Sequence, residues 1–146
     1  MWILDTDHLS FLEHAGNPVA ERLRAKLLAL PPGSYATTIV SYEEQCRGWL
    51  ETISKQKSVL GQVAGYRRLH QQLQHYCGIQ IVDFDEQAAM QFENLRASKV
   101  RIGTLDLKIA SIALALDAML LTRNTRDFSK VPGLRFEDWT KDETQP

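Results

Sequence analysis

The chain has only two cysteines in 146 residues, Cys46 and Cys77, and their spacing builds neither a metal-binding cluster nor a disulfide framework. That argues against structural zinc, and reduced core thiols in a cytoplasmic protein are expected. Excess charge is missing too. Seventeen Lys and Arg stand against 18 Asp and Glu, a formal net charge of -1 with a pI near 6.4. A strongly basic domain that steers itself onto phosphates is therefore excluded, and any basic footprint must be local. Long apolar runs are also absent. Asp5 interrupts the first before it could act as a signal peptide. The longest, Ile109 to Leu121, falls short of the roughly 18 residues of a membrane span and is broken by Asp117. His8, His14, His70 and His75 form no base-and-nucleophile pattern, so surface or packing roles are expected of them.

What is present is a globular composition, 44% hydrophobic and 24% charged. The length suits one domain, expected over residues 1–141, with a frayed tail over 142–146. Trp2 to Leu4 reads as a buried strand, and Asp7 to Glu13 as a helix. A second helix runs from Val19 to Leu30 and stops at Pro31-Pro32-Gly33. Tyr35 to Val40 is β-branched and aromatic, hence a strand, after which Ser41-Tyr42-Glu43-Glu44 reads as a capping box that opens a helix. Gln45 to Tyr76 has no proline and predicts a helical hairpin, with Gly61 and Gly65 blurring its division. Then come a strand at Ile79 to Val82, a helix over Asp85 to Ser98 capped by Asp83 or Asp85, and a nearly buried helix from Leu105 to Leu116. Ala118 to Leu121 is a strand, followed by a polar loop, a Pro132-Gly133 turn and a short strand at Arg135-Phe136. Strands this short, separated by helices, predict an α/β fold with a central parallel sheet of four to five strands covered on both faces.

Ligands of an open parallel sheet bind at its carboxyl edge. Four acids fall in that position: Asp5 after the first strand, Glu44 after the second, Asp106 in the first turn of the buried helix and Asp127 in the loop after Thr122. Like charges gathered there cost several kcal/mol unless a cation neutralises them. Oxygen-only ligands select Mg²⁺ or Mn²⁺, and such an ion on a carboxylate rim suits phosphodiester hydrolysis. Plainer readings stand beside this one. Asp5 or Asp7 serves as an N-cap, the capping box accounts for Glu44 and leaves Glu43 as its rival, the helix macrodipole favours Asp106, and Asp127 is a solvated loop acid. It is the joint location that points to a site. Among the basic clusters, Arg67-Arg68 and Arg96-Lys99-Arg101 read as solvated helix faces, whereas Arg123, Arg126 and Lys130 flank Asp127 and are candidates for RNA phosphate contacts.

The motifs LDTD, SYEEQCRG, GTLDLKIA and LLTRNTRDF, in that order, resemble the PIN-domain ribonucleases, in particular the VapC-type toxins of bacterial toxin-antitoxin pairs. The likeness spans nearly the whole chain. It implies a three-layer α/β/α PIN fold and a Mg²⁺- or Mn²⁺-dependent endoribonuclease. It also implies a homodimer, with tRNA as the expected substrate and a small antitoxin as inhibitor. By resemblance the metal and catalytic residues are Asp5, Glu44, Asp106 and Asp127. Ser41 and Gly48, at the family's offsets, favour Glu44 over Glu43. Thr6, Thr122 and Asn124 match supporting polar positions. In one respect the chain departs from some relatives, which carry paired acids at the third motif; here Leu105 and Leu107 flank Asp106.

Two rival readings remain at this level. The strand followed by D-x-D also resembles the opening of haloacid-dehalogenase-like phosphatases, in which Asp5 would be a nucleophile, although their G-D-x-x-x-D motif is missing. A catalytically silent PIN-like binding module is the other, and four acids facing RNA argue against it.

Overall fold

Three residues suffice for a strand when both of its faces are covered. In the computed structural model, which describes residues 1–142, β1 (Trp2–Leu4) is such a strand. It is flanked by β2 (Tyr35–Thr38) and β4 (Met119–Leu121), with β3 (Ile81–Val82) and β5 (Arg135–Glu137) at the edges. The order is β3-β2-β1-β4-β5 and every pairing is parallel. In register, Leu4 lies opposite Thr37 on one side and Leu121 on the other.

Alternation along these strands supplies two cores. Ile3 and Leu120 point to one face, where they pack with Val40 of α3 (Ile39–Ser54), Ala88 and Leu95 of α5 (Glu86–Ala97), Ile109 and Ile112 of α6 (Thr104–Ala115), and Phe128 of α7 (Thr125–Phe128). Leu4 and Leu121 point to the other, against Phe11 of α1 (Thr6–Leu12) and Leu23 and Leu27 of α2 (Pro18–Leu28). Full burial of each such side chain contributes roughly 1.5–3 kcal/mol, and the result is three layers, α/β/α. The near-continuous apolar character of α6 follows from its place in the larger core. α4 (Val63–Cys77) packs on α3. A Cβ on Gly65 would stand 2.5 Å from Ile53 Cγ1, so this glycine lies within α4 and permits the close approach of the two helices.

The structure moves several sequence-based boundaries. β2 ends at Thr38, not Val40, because Thr38 caps α3, its Oγ1 accepting the Ser41 backbone N–H at 3.0 Å. Ile39 and Val40 are thus helical in spite of their β-branched side chains. The expected capping box at Ser41 to Glu44 does not form, and Glu44 is released from capping duty. β3 is confined to Ile81–Val82. Asp85 caps α5, accepting from Ala88 N at 3.0 Å. Asp127 lies in the short α7 where a loop was expected. Both cysteines are free, but Cys77 is exposed, not in the core. Of the expected tail, residues 143–146 lie outside the described residues.

Candidate metal centre

From β1 the chain crosses to β2 on one side, whereas β4 leads to β5 on the other. A crevice opens where connections diverge in this way, at the carboxyl ends of β1 and β4. Asp5 and Thr122 are the residues immediately after those two strands, 117 positions apart in sequence. They meet there: Asp5 N donates to Leu121 O at 2.9 Å, and Thr122 Oγ1 donates to Asp5 Oδ2 at 2.7 Å. Asp5 Oδ1 accepts the Thr6 N–H at 2.8 Å, so the same carboxylate is the N-cap of α1. Capping and site membership are therefore compatible.

The other acids reach this crevice through bridging side chains. Glu44, from the second turn of α3, accepts from Thr6 Oγ1 at 2.9 Å. Its neighbour Glu43 is drawn aside by Arg47 one turn on. Asp106, in the first turn of α6, and Asp127, in α7, share the Asn124 amide, whose Nδ2 donates to their Oδ2 atoms at 3.3 and 3.2 Å. Asn124 N in turn donates to Thr122 Oγ1 at 3.0 Å. Asp117, which breaks the apolar run before β4, lies at the amino edge of the sheet and pairs with Arg135 there.

Asp7 also belongs to the cluster. Its Oδ2 accepts the Arg123 backbone N–H at 3.0 Å and lies 3.4 Å from Thr122 Oγ1. Fully buried His8 holds it from the other side. The Trp139 N–H donates to His8 Nε2 at 3.1 Å, leaving Nδ1 to donate to Asp7 Oδ1 at 2.7 Å. Sequence spacing carried one signal for Asp7, its position two residues beyond Asp5, and no signal for the His8 strut, which depends on a contact 131 residues away.

Burial pushes the Asp5 carboxyl up from its ordinary 3.8 to about 7, and the charges of Asp7 and Asp106 add to the rise while the hydrogen bonds from Thr122 and Thr6 oppose it. Burial likewise raises Asp106, helped by Glu44, Asp127 and Asp7. Asp127 moves the other way, lowered by the Asn124 hydrogen bond and by Lys130, 3.5 Å away. Among the described residues, no three His, Cys, Asp or Glu side chains are gathered tightly enough to enclose a metal by themselves. The donor set nonetheless fits a hard, partly hydrated divalent ion. Mg²⁺ takes one or two carboxylates directly and retains waters, and a carboxylate forced toward neutrality by burial and by like charges gains most from a cation.

A cavity of about 820 Å³ opens beside Asp127, lined by Arg96, Arg101, Gly103 and Thr104. The sequence reading left Arg96 and Arg101 on a solvated helix face; they stand on the approach to the acids. Of the basic residues singled out from sequence, Lys130 pairs with Asp127, Arg126 contributes to the lowering of that carboxyl, and the Arg123 guanidinium lies 5.0 Å from the Phe11 ring.

Residues 3–134 match the PIN domain family model. The tRNA(fMet)-specific endonuclease VapC of Salmonella typhimurium is 37% identical over 65 residues, 42% of this chain and 49% of the relative, so the chain spans about half the length of that curated relative. Ribonuclease VapC1 of Haemophilus influenzae (strain R2866) is 25% identical over 146 residues, covering 97% and 99% of the two chains. In structure, the DNA-bound VapBC from Salmonella typhimurium superposes with a TM-score of 0.72 at 24% identity over 94% of this chain and 97% of that one, a likeness of fold.

Proposed function

This chain belongs to the PIN-domain family, and from that premise we propose that it is a VapC-type endoribonuclease toxin, a single domain over residues 1–141 that hydrolyses RNA phosphodiester bonds with Mg²⁺ or Mn²⁺. The observation that carries the reading is the buried Asp5 carboxylate, held by Thr122 at the switch point and faced by Asp7 and Asp106. Asp5, Glu44, Asp106 and Asp127 would hold the metal, with Thr6, Thr122 and Asn124 as supports. When bound, a divalent ion supplies Lewis-acid stabilisation of the charge that builds on the attacked phosphate.

The chain's own residues do the positioning. Thr122 and the Thr6 N–H fix both oxygens of Asp5. Asn124 ties Asp106 and Asp127 together through one amide, and His8 sets the orientation of Asp7. Positive charge on Arg96, Arg101, Arg123 and Arg126 offers flanking phosphates a path past the acids. The phosphatase reading loses ground here, since residues 3–134 match the PIN domain family model.

tRNA is the proposed substrate class, supported by the name of the Salmonella relative and by the resemblance of the motifs. A small antitoxin as inhibitor and a homodimeric state follow from the same resemblance, and the VapBC neighbour accords with the first. No described helix is long and apolar enough to cross a membrane. Brief induction followed by sequencing of RNA 5′ ends tests the proposal. New ends at defined sites are expected with the unaltered chain and none with Asp106→Asn; indistinguishable end profiles would overturn it.

A further inference from the structure

Beside the acid cluster, a groove of about 340 Å³ runs between α1 and α3. Thr6 and Glu44, hydrogen-bonded to each other, belong both to this groove and to the cluster. Ser10 and Gln45 line it further out, joined by Gln45 Nε2 donating to Ser10 Oγ at 3.2 Å. Gln45 Oε1 is buried and has no partner among the described residues. Thr52, Gly48 and Trp49 complete the lining.

The last two residues are hard to explain as scaffold. Gly48 lies inside a 16-residue helix, where alanine is the better helix former, yet a Cβ there would meet nothing within 4 Å. Helix energetics do not call for this glycine, and the space beside it is open to the groove. Trp49 is half-buried, and among the described residues no ring, cation or hydrogen-bond partner holds its indole. The chain's other two tryptophans, Trp2 and Trp139, are packed on each other with centroids 4.7 Å apart.

We propose that this groove is a nucleobase subsite, taking one unstacked base of the RNA strand beside the phosphodiester at the acid cluster, with Trp49 as stacking platform and Ser10 and Gln45 facing the base edge. The inference rests on the RNA-cleaving role proposed above and adds to it where sequence preference is set. A single-stranded base offers a π-face and a hydrogen-bonding edge, and the groove offers a counterpart to each. An apolar peptide side chain would find one aromatic among hydroxyls, an amide and a carboxylate, a poor match. Because Thr6 and Glu44 are common to both places, the base is adjacent to the cut, not remote from it.

The test compares the unaltered protein with Trp49→Ala, Trp49→Phe and Gly48→Leu, each checked for folding by circular dichroism, on an RNA pool randomised around a cleavable site. Trp49→Ala is expected to lower kcat/KM roughly ten- to hundredfold, as loss of one base–aromatic stack does. It should also flatten the preference at a single nucleotide beside the cut. Trp49→Phe should restore most of both, and Gly48→Leu should imitate Trp49→Ala by filling the groove. A second readout works in EDTA, without cleavage: single-stranded RNA should quench tryptophan fluorescence in the unaltered protein and not in Trp49→Phe. Quenching without any cleavage by the unaltered protein would sink the nuclease reading and keep the subsite. Cleavage with unchanged nucleotide preference in Trp49→Ala and Gly48→Leu would overturn the subsite and keep the nuclease. Absence of both cleavage and quenching would overturn the subsite as well. If antitoxin neutralisation, and not nucleotide preference, weakened in Trp49→Ala, the groove would belong to a protein segment and the proposal would fall.

Discussion

Asp5, the N-cap of α1, and Asp127, in the first turn of α7, are the same residue type at the same edge of one sheet, yet their surroundings drive them in opposite directions. Asp5 is 5% exposed, and burial lifts its carboxyl to about 7. The Asp127 side chain is 35% exposed, and the Asn124 amide and Lys130 hold its carboxyl below the usual range. One end of the cluster is short of positive charge and the other already has it. Under the function proposed above, the need for a metal ion would be concentrated at the strand ends, where solvent cannot share the charge, and the outer acid would act as a steering or auxiliary ligand.

This contrast can be broken most severely at its buried end. Asp5→Asn should reduce RNA cleavage by on the order of a thousandfold, the scale of several kcal/mol of lost transition-state stabilisation, with the fold intact by circular dichroism. The same substitution should stabilise the metal-free protein at neutral pH. Because the native carboxyl titrates at about 7 and the unfolded one near 3.8, the native state holds the extra proton between those values. Stability contributed by this group is accordingly highest below pH 4, falls as pH rises toward 7 and is flat above it. A window about three pH units wide, at about 1.4 kcal/mol each, amounts to about 4 kcal/mol. Urea titrations of the metal-free protein from pH 4 to 8 should show that decline, and in Asp5→Asn it should be absent. Adding Mg²⁺ to a hundred times its Kd at pH 8 should return about 2.7 kcal/mol to the unaltered protein.

Weaker perturbations sharpen the comparison. Thr122→Val removes the donor to Asp5 while keeping the shape, and should loosen metal binding about ten- to hundredfold by isothermal titration calorimetry. Asp127→Asn, at the exposed end, should lower cleavage about tenfold or less, and its penalty should shrink as salt screens the surface. An effect of Asp127→Asn as large as that of Asp5→Asn would invert the assignment of the two ends.

Much of this was readable in one dimension. The apolar triplet before Asp5, the run from Leu105 to Leu116 and the alternation of short strands with helices led to a parallel sheet covered on both faces, and the sheet is five-stranded and parallel. The errors came where tertiary contacts outvoted local preference. Ile39 and Val40 carry strand propensity but sit past the carboxyl edge, where the chain must turn into α3, so the cap moved to Thr38 and Glu44 was freed to meet Thr6. Arg96 and Arg101 are solvent-exposed as expected, but a sequence does not show that they line the cavity beside Asp127. His8 was expected in a surface or packing role; its full burial selects the second, but the backbone N–H that orients its ring lies at Trp139.

The order of residues along the chain determined the layer architecture, the parallel sheet and the candidate acids, because hydrophobic periodicity and strand-end position are local properties that survive without coordinates. Tertiary structure alone decided which acid is starved of solvent, that Thr122 and not a neighbour in sequence is its donor, and that Trp49 borders the same crevice as Glu44. Those outcomes depend on groups far apart in the chain meeting in a medium of low dielectric, where a separation of a few ångströms governs both charge and hydrogen bonding.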